Sequence, residues 1–168
     1  KHPDWPGQHT LRRRAEQALD ETVSRARILK WFAAHEPVTG IGMFRYGDAL
    51  INAGKQADGA GWIRKAWLIG DFSKRTEGEI LRRYRGLLTT EDHEKRLDHL
   101  LWERETNAAV RLFPFLSEDM KKLATARIRL IRNSWNVDQA IRAVPASLKD
   151  DPGLIFERAK WRRHKDLS

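Results

Sequence analysis

Apolar residues recur along this chain at intervals of three and four, and no segment alternates convincingly with period two, so the expected elements are helices. Asp4-Trp5-Pro6-Gly7 reads as a turn, followed by a first helix whose apolar positions are Leu11, Ala15, Ala18 and Leu19. Thr22 can cap a second helix bearing Val23, Ala26, Leu29 and Ala33, which ends near His35-Glu36 ahead of Pro37. A third spans 39–53, with Ile41, Phe44, Ala49 and Leu50 inward and Gly54 just beyond its C-terminus. Further helices are expected at 58–69 (Ile63, Ala66, Trp67), 77–88 (Ile80, Leu81, Tyr84) and 91–102 (Leu97, Leu100, Leu101). The Gly70-Asp71-Phe72-Ser73 stretch breaks the pattern between the first two of these. A short helix at 107–113 stops at Pro114, and Ser117-Glu118-Asp119 opens a long one through Leu123, Arg127 and Ile131. Another short helix begins at Asn136 or Val137 and stops near Pro145, after which Asp151-Pro152 caps and opens the last.

The second half repeats itself with an offset of 31 residues. Ala109-Val110-Arg111-Leu112-Phe113-Pro114 returns as Ala140-Ile141-Arg142-Ala143-Val144-Pro145, and Leu123-x-x-x-Arg127 returns as Leu154-x-x-x-Arg158. Arg96, Arg127 and Arg158 mark the phase, dividing the stretch into 96–126 and 127–158. Repeats of this length are helical hairpins that bury their apolar faces only against neighbours. The pattern therefore predicts an all-α, right-handed superhelical array of antiparallel hairpins, a tetratricopeptide-like α-solenoid of about ten helices.

Each of the three arginines keeps step with apolar residues three or four positions away. A charge so placed must be paired or reach back to solvent. The expected role is a repeated tie between helices, to carboxylates or to helix C-terminal carbonyls. The alternative is a row of anion-binding arginines on a concave face.

Composition narrows the partners. The 168 residues carry a net charge of +9 and a pI near 10.2, which suits an anionic partner such as nucleic acid, acidic lipid or a cell-wall polymer. Cysteine is absent, which excludes disulfides and thiolate metal sites. No apolar run reaches the roughly 20 residues of a membrane helix, so no membrane span is expected. The start at Lys1-His2-Pro3, with neither methionine nor a signal-like segment, gives the expectation of a piece of a longer protein.

Candidate chemistry is sparse. Gly47 and Gly54-Lys55 do not make a phosphate loop, because the glycines are too far apart and Gln56 stands where a hydroxyl residue is needed. His93 and His99, beside Asp92 and Asp98, lie six apart on one helix and face different ways, which argues against a metal pair and for a solvated helix face. Trp31, Trp67, Trp102, Trp135 and Trp161 recur about once per hairpin, and at helical spacing tryptophans are expected in the core.

An ordered series of short motifs runs through the duplicated region: His93-x-x-Arg96-x-Asp98-x-Leu100-Leu101-Trp102, Ala109-x-Arg111, Ala124-x-Ala126-Arg127 and Val144-Pro145. It ends on Asp151-Pro152-Gly153-Leu154-x-x-x-Arg158-x-x-Trp161-Arg162-Arg163, and Arg64-Lys65-Ala66-Trp67 fits more loosely upstream. From about Trp31 onward the chain resembles the superhelical, U-shaped domain of the soluble lytic murein transglycosylases. The resemblance implies a periplasmic setting and a parent enzyme that cleaves the MurNAc–GlcNAc bond without water, leaving a 1,6-anhydro end with no metal or cofactor. It also implies that catalysis resides in a separate lysozyme-like domain, whose acid is a glutamate followed by serine. No Glu-Ser pair occurs in this chain, so no catalytic, cofactor or metal residue is assigned. The expectation is one superhelical domain over 1–168, truncated at both ends and itself inactive. Its implied partners are glycan strands and its own catalytic domain, and nucleic acid is not among them. From the residues alone, a tetratricopeptide-like protein-interaction module and a helical-repeat nucleic-acid binder stand as alternatives. Truncation would leave Leu154, Ile155 and Trp161 of the last helix exposed.

Overall fold

The computed structural model describes residues 7–166, so the turn at Asp4-Trp5-Pro6 lies outside the described residues. The protein is all-helical. Ten α-helices are described: α1 (Gln8–Gln17), α2 (Arg25–Phe32), α3 (Gly40–Asn52), α4 (Gln56–Ile69), α5 (Lys74–Tyr84), α6 (Thr90–Trp102), α7 (Thr106–Arg111), α8 (Glu118–Ile131), α9 (Val137–Ala143) and α10 (Pro152–Asp166). Three 3-10 turns, Arg85–Leu87, Phe113–Phe115 and Ala146–Leu148, lead into α6, α8 and α10. Among the described residues there is no strand and no helix long and apolar enough to cross a membrane. Contacts divide the chain into two compact units, Lys1–Thr89 and Thr90–Ser168.

The first unit is built on α3 and α4, which Ala53, Gly54 and Lys55 connect. Gly54 takes φ +82, a conformation that costs an L side chain and that glycine supplies at a helix end. The two helices meet backbone to backbone. A Cβ on Gly47 would lie 2.9 Å from the Gly59 carbonyl, and one on Gly59 would lie 2.7 Å from the Gly47 carbonyl. Phe44, Ile63, Ala66 and Trp67 fill the interior around this contact.

α1 does not bury the face its apolar residues suggest. Leu11 is exposed, and the residue that α1 delivers to the interior is Glu16, 1% exposed. Its Oε2 accepts from the Thr39 backbone N–H at 2.7 Å and the Thr39 hydroxyl at 2.6 Å, and Val38 N–H donates to both carboxylate oxygens at 3.0–3.1 Å. Thr39 in turn accepts from Gly42 N–H at 3.0 Å as the N-cap of α3. A carboxylate here compensates both unpaired N–H groups and the positive end of the helix dipole. The expected face of α2 is also rotated. Ile28 and Phe32 are buried while Ala26 and Ala33 are exposed. Thr22 is already engaged with Asp20, donating from N–H at 2.8 Å and from its hydroxyl at 2.6 Å, so the helix starts later, capped by Ser24.

A second buried knot joins α2, α3 and α5. Asp48 accepts from Arg25 at 3.1 Å, from Arg83 and from the Tyr84 hydroxyl, while Glu79 accepts from Arg45 at 3.0 Å and Arg83 at 3.1 Å. Arg83 thereby bridges two carboxylates that would otherwise repel each other. α5 begins at Lys74, earlier than its apolar pattern indicates, because Ser73 caps it through Thr76 N–H.

In the second unit α8 is central, packing against α6, α7, α9 and α10. Leu123, Ala126 and Leu130 of α8 form one cluster with Val137 and Ala140 of α9, Val144 and Leu154. Leu154 is therefore buried rather than exposed, Ile155 is 53% exposed, and Trp161 is half-buried against the cluster.

Two glycines on α4 give opposite expected outcomes in urea denaturation. Gly59→Ala places a methyl 2.5 Å from Ile51 and against the α3 backbone, and is expected to cost about 1–3 kcal/mol through overpacking. Gly61→Ala, with open space around the new Cβ, should stabilise by about 0.5–1 kcal/mol through helix propensity. Burial, then the hydrogen bond to Asp48, holds the Tyr84 hydroxyl well above the ordinary tyrosine range. The folded state thus binds this proton more tightly than the unfolded chain, so the contribution is complete below about pH 10 and lost as pH rises further. In an alkaline titration Tyr84 phenolate absorbance should appear together with loss of helical circular dichroism, and Tyr84→Phe should remove that component.

Candidate functional site

The three phase-marking arginines end in different places. Arg96 on α6 and Arg127 on α8 are buried, at 0% and 2% exposure. Arg158 on α10 is exposed. The interior charged position of α10 is instead Glu157, 3% exposed, one residue earlier in the helix. Sequence spacing holds through two repeats and then slips by one position, which is a turn of about 100° around a helix.

Arg127 sits at the centre of the motif residues. Its Nη1 donates to Asp98 of α6 at 2.6 Å, with Asp151, the capping residue of α10, at 3.6 Å. The guanidinium carbon lies 5.5 Å from the centre of the Trp102 ring. On the remaining side it rests on Gly153, where a Cβ would stand 2.1 Å from Cζ. Among the described residues, Arg127 Nε and Nη2 are buried without a hydrogen-bond partner. Arginines off the 31-residue phase also join helices. Arg104, at φ 62, donates to Glu157 at 3.3 Å and to the Ile131 carbonyl at the end of α8 at 3.1 Å. Arg132 donates to Thr106 at 2.9 Å and Asn107 at 2.6 Å. Periodicity passes over these residues because they stand at helix ends, where the apolar phase is lost.

His93 does not lie on a solvated face. It is 5% exposed and stacks on Phe115 at 4.6 Å and 15°. The tryptophans also depart from expectation. Trp67 alone of the five is fully buried; Trp31 and Trp102 are 43% exposed and Trp135 is 91% exposed. Trp102 pairs with Phe156 at 5.3 Å and Trp31 with His35 at 5.5 Å, so contact between rings replaces deep burial.

Trp135 belongs to an open cleft of about 620 Å³ between the α8–α9 turn and the end of α10. The turn is tightly held. Asn133 and Asn136 take the left-handed conformation, at φ 48 and 60, which asparagine tolerates better than most residues. Ser134 N–H donates to the Arg129 carbonyl at 3.0 Å, and Arg129 Nη1 donates to the carbonyls of Trp135 at 3.4 Å and Asn136 at 3.2 Å. Across the cleft, Trp161 Nε1 donates to Asn133 Oδ1 at 2.9 Å, and Lys165 Nζ lies 4.6 Å from the Trp161 ring centre. Gln139, Asp138 and Arg142 complete the polar lining. Among the described residues of that lining Asp138 is the one carboxylate and there is no histidine, so the groups present favour binding over acid–base chemistry.

The Arg127 tie has a direct test in thermal and urea denaturation. Asp98→Ala removes the 2.6 Å charge-assisted bond and leaves Asp151 at 3.6 Å as the remaining carboxylate; with Asp98 half-exposed, a cost of about 1.5 kcal/mol is expected. Arg127→Met fills the same volume without a charge, and stability equal to or above the parent chain is expected. No protein-family model, curated protein or solved structure matches this chain.

Proposed function

We propose that this chain is a non-catalytic helical scaffold of a periplasmic peptidoglycan lytic transglycosylase, shaping the access of glycan strands to a separate catalytic domain. The observation that carries this reading is the convergence of the motif residues Asp98, Trp102, Arg127, Asp151 and Gly153 on one buried guanidinium. These five residues of the resemblance therefore hold helices together, as expected of a wall and not of an active site. Of the buried carboxylates, Glu16, Asp48, Glu79 and Glu157 point the same way, since each is engaged by backbone N–H groups or arginine. A carboxylate so engaged has its oxygens committed to partners within the fold rather than presented to a substrate. The net charge of +9 supplies long-range attraction for an anionic polymer. In the parent enzyme the MurNAc–GlcNAc bond would be broken elsewhere, with a 1,6-anhydro end as product.

Incubation with purified sacculi tests this function. The chain is expected to co-sediment, with retention falling as salt rises, and to release no 1,6-anhydromuropeptides. Failure to sediment at low salt, or release of the anhydro products, would overturn it.

A further inference from the structure

The geometry points to the Trp135–Trp161 cleft as a saccharide-binding site that takes an amino-sugar unit bearing a carboxylate. The choice of that sugar rests on the function proposed above; the site itself rests on the cleft. Burying an indole is among the larger apolar gains open to a chain. Trp135 forgoes it at 91% exposure, although the turn beneath it is fixed by hydrogen bonds from Arg129 and by two left-handed asparagines. The backbone that displays this indole is fixed, so the ordering entropy lost when a ligand stacks on it is confined to the two side-chain torsions. Trp161, opposite, is also held in place through Asn133.

The polar groups between the indoles decide the ligand class. Asn133, Asn136 and Gln139 each offer both donors and acceptors, which matches vicinal hydroxyl and acetamido groups. A pyranose adds an apolar C–H face that lies flat on an indole. Nucleic acid is the weaker fit. Its phosphates need a track of cations, whereas this cleft has Arg142 and Lys165, with Lys165 already over the Trp161 ring and the Asp138 carboxylate among them. Among the described lining residues Arg142 is the cation not stacked on an aromatic ring, and it is placed to meet a carboxylate on the sugar.

The whole chain can be titrated with chitotetraose and with the GlcNAc–MurNAc disaccharide while the indole N–H resonances are followed by NMR. Saturable shifts of Trp135 and Trp161 are expected with both sugars. Trp135→Ala, at a position too exposed to affect folding, should weaken both by about tenfold, equivalent to about 1.4 kcal/mol. Arg142→Ala should weaken the MurNAc-containing sugar and leave chitotetraose unchanged. Absence of shifts, an affinity unaltered by Trp135→Ala, or displacement of bound sugar by oligothymidylate would overturn the site. An Arg142→Ala effect equal on both sugars would overturn the carboxylate assignment. Sedimentation with sacculi without sugar shifts sinks the cleft and spares the scaffold. Sugar shifts without sedimentation sink the scaffold and spare the cleft.

Discussion

A charge taken out of water loses several kcal/mol of hydration, which must be returned by partners of the right sign and geometry. This requirement recurs in both units. In the first, Glu16 crosses from α1 to the N-terminus of α3 and is met by two backbone N–H groups and the Thr39 hydroxyl. In the second, Arg127 crosses from α8 to Asp98 of α6 and to the capping region of α10. Hydrophobic burial gives each helix a preferred face but tolerates sliding and rotation. A buried ion pair does not, because a displacement of an ångström or two breaks it. The apolar clusters supply most of the cohesion, and the charged residues select one arrangement among several that would bury similar area.

Small residues make these ties possible. Gly47 and Gly59 allow α3 and α4 to touch backbone to backbone, while the adjacent Asp48 meets the arginines of α2 and α5. Gly153 leaves room for the Arg127 guanidinium to lie flat against the first turn of α10. The motif Asp151-Pro152-Gly153-Leu154 is thereby accounted for residue by residue. The aspartate caps the helix and faces the arginine, and proline opens the first turn. Glycine makes the space and leucine enters the core.

The cleft follows from the same construction. Arg129 is drawn into the α8–α9 turn by the carbonyls of Trp135 and Asn136, and the turn thus fixed holds an indole away from the core. The proposed function separates these two uses of arginine and tryptophan. Buried copies build the wall, and displaced copies near the turn present a surface to the ligand.

The sequence alone determined the helices, because a 3.6-residue apolar period and local caps act within a few residues of one another. Ser117 and Asp151 are capping residues legible in this way, and so is the step of Arg96, Arg127 and Arg158 with leucines and alanines, though not which of the three is buried. Only the tertiary structure decided which neighbour each charge would meet. Glu16 meets Thr39 across 23 residues, and Glu157 rather than Arg158 lies in the interior, where Arg104 pairs with it. The tryptophans divide the same way. Helical spacing treats Trp67 and Trp135 alike, yet one is enclosed by packing helices and the other stands on a turn with nothing of the described chain above it. Periodicity reports which residues share a face; burial depends on what arrives from elsewhere in the chain to cover it.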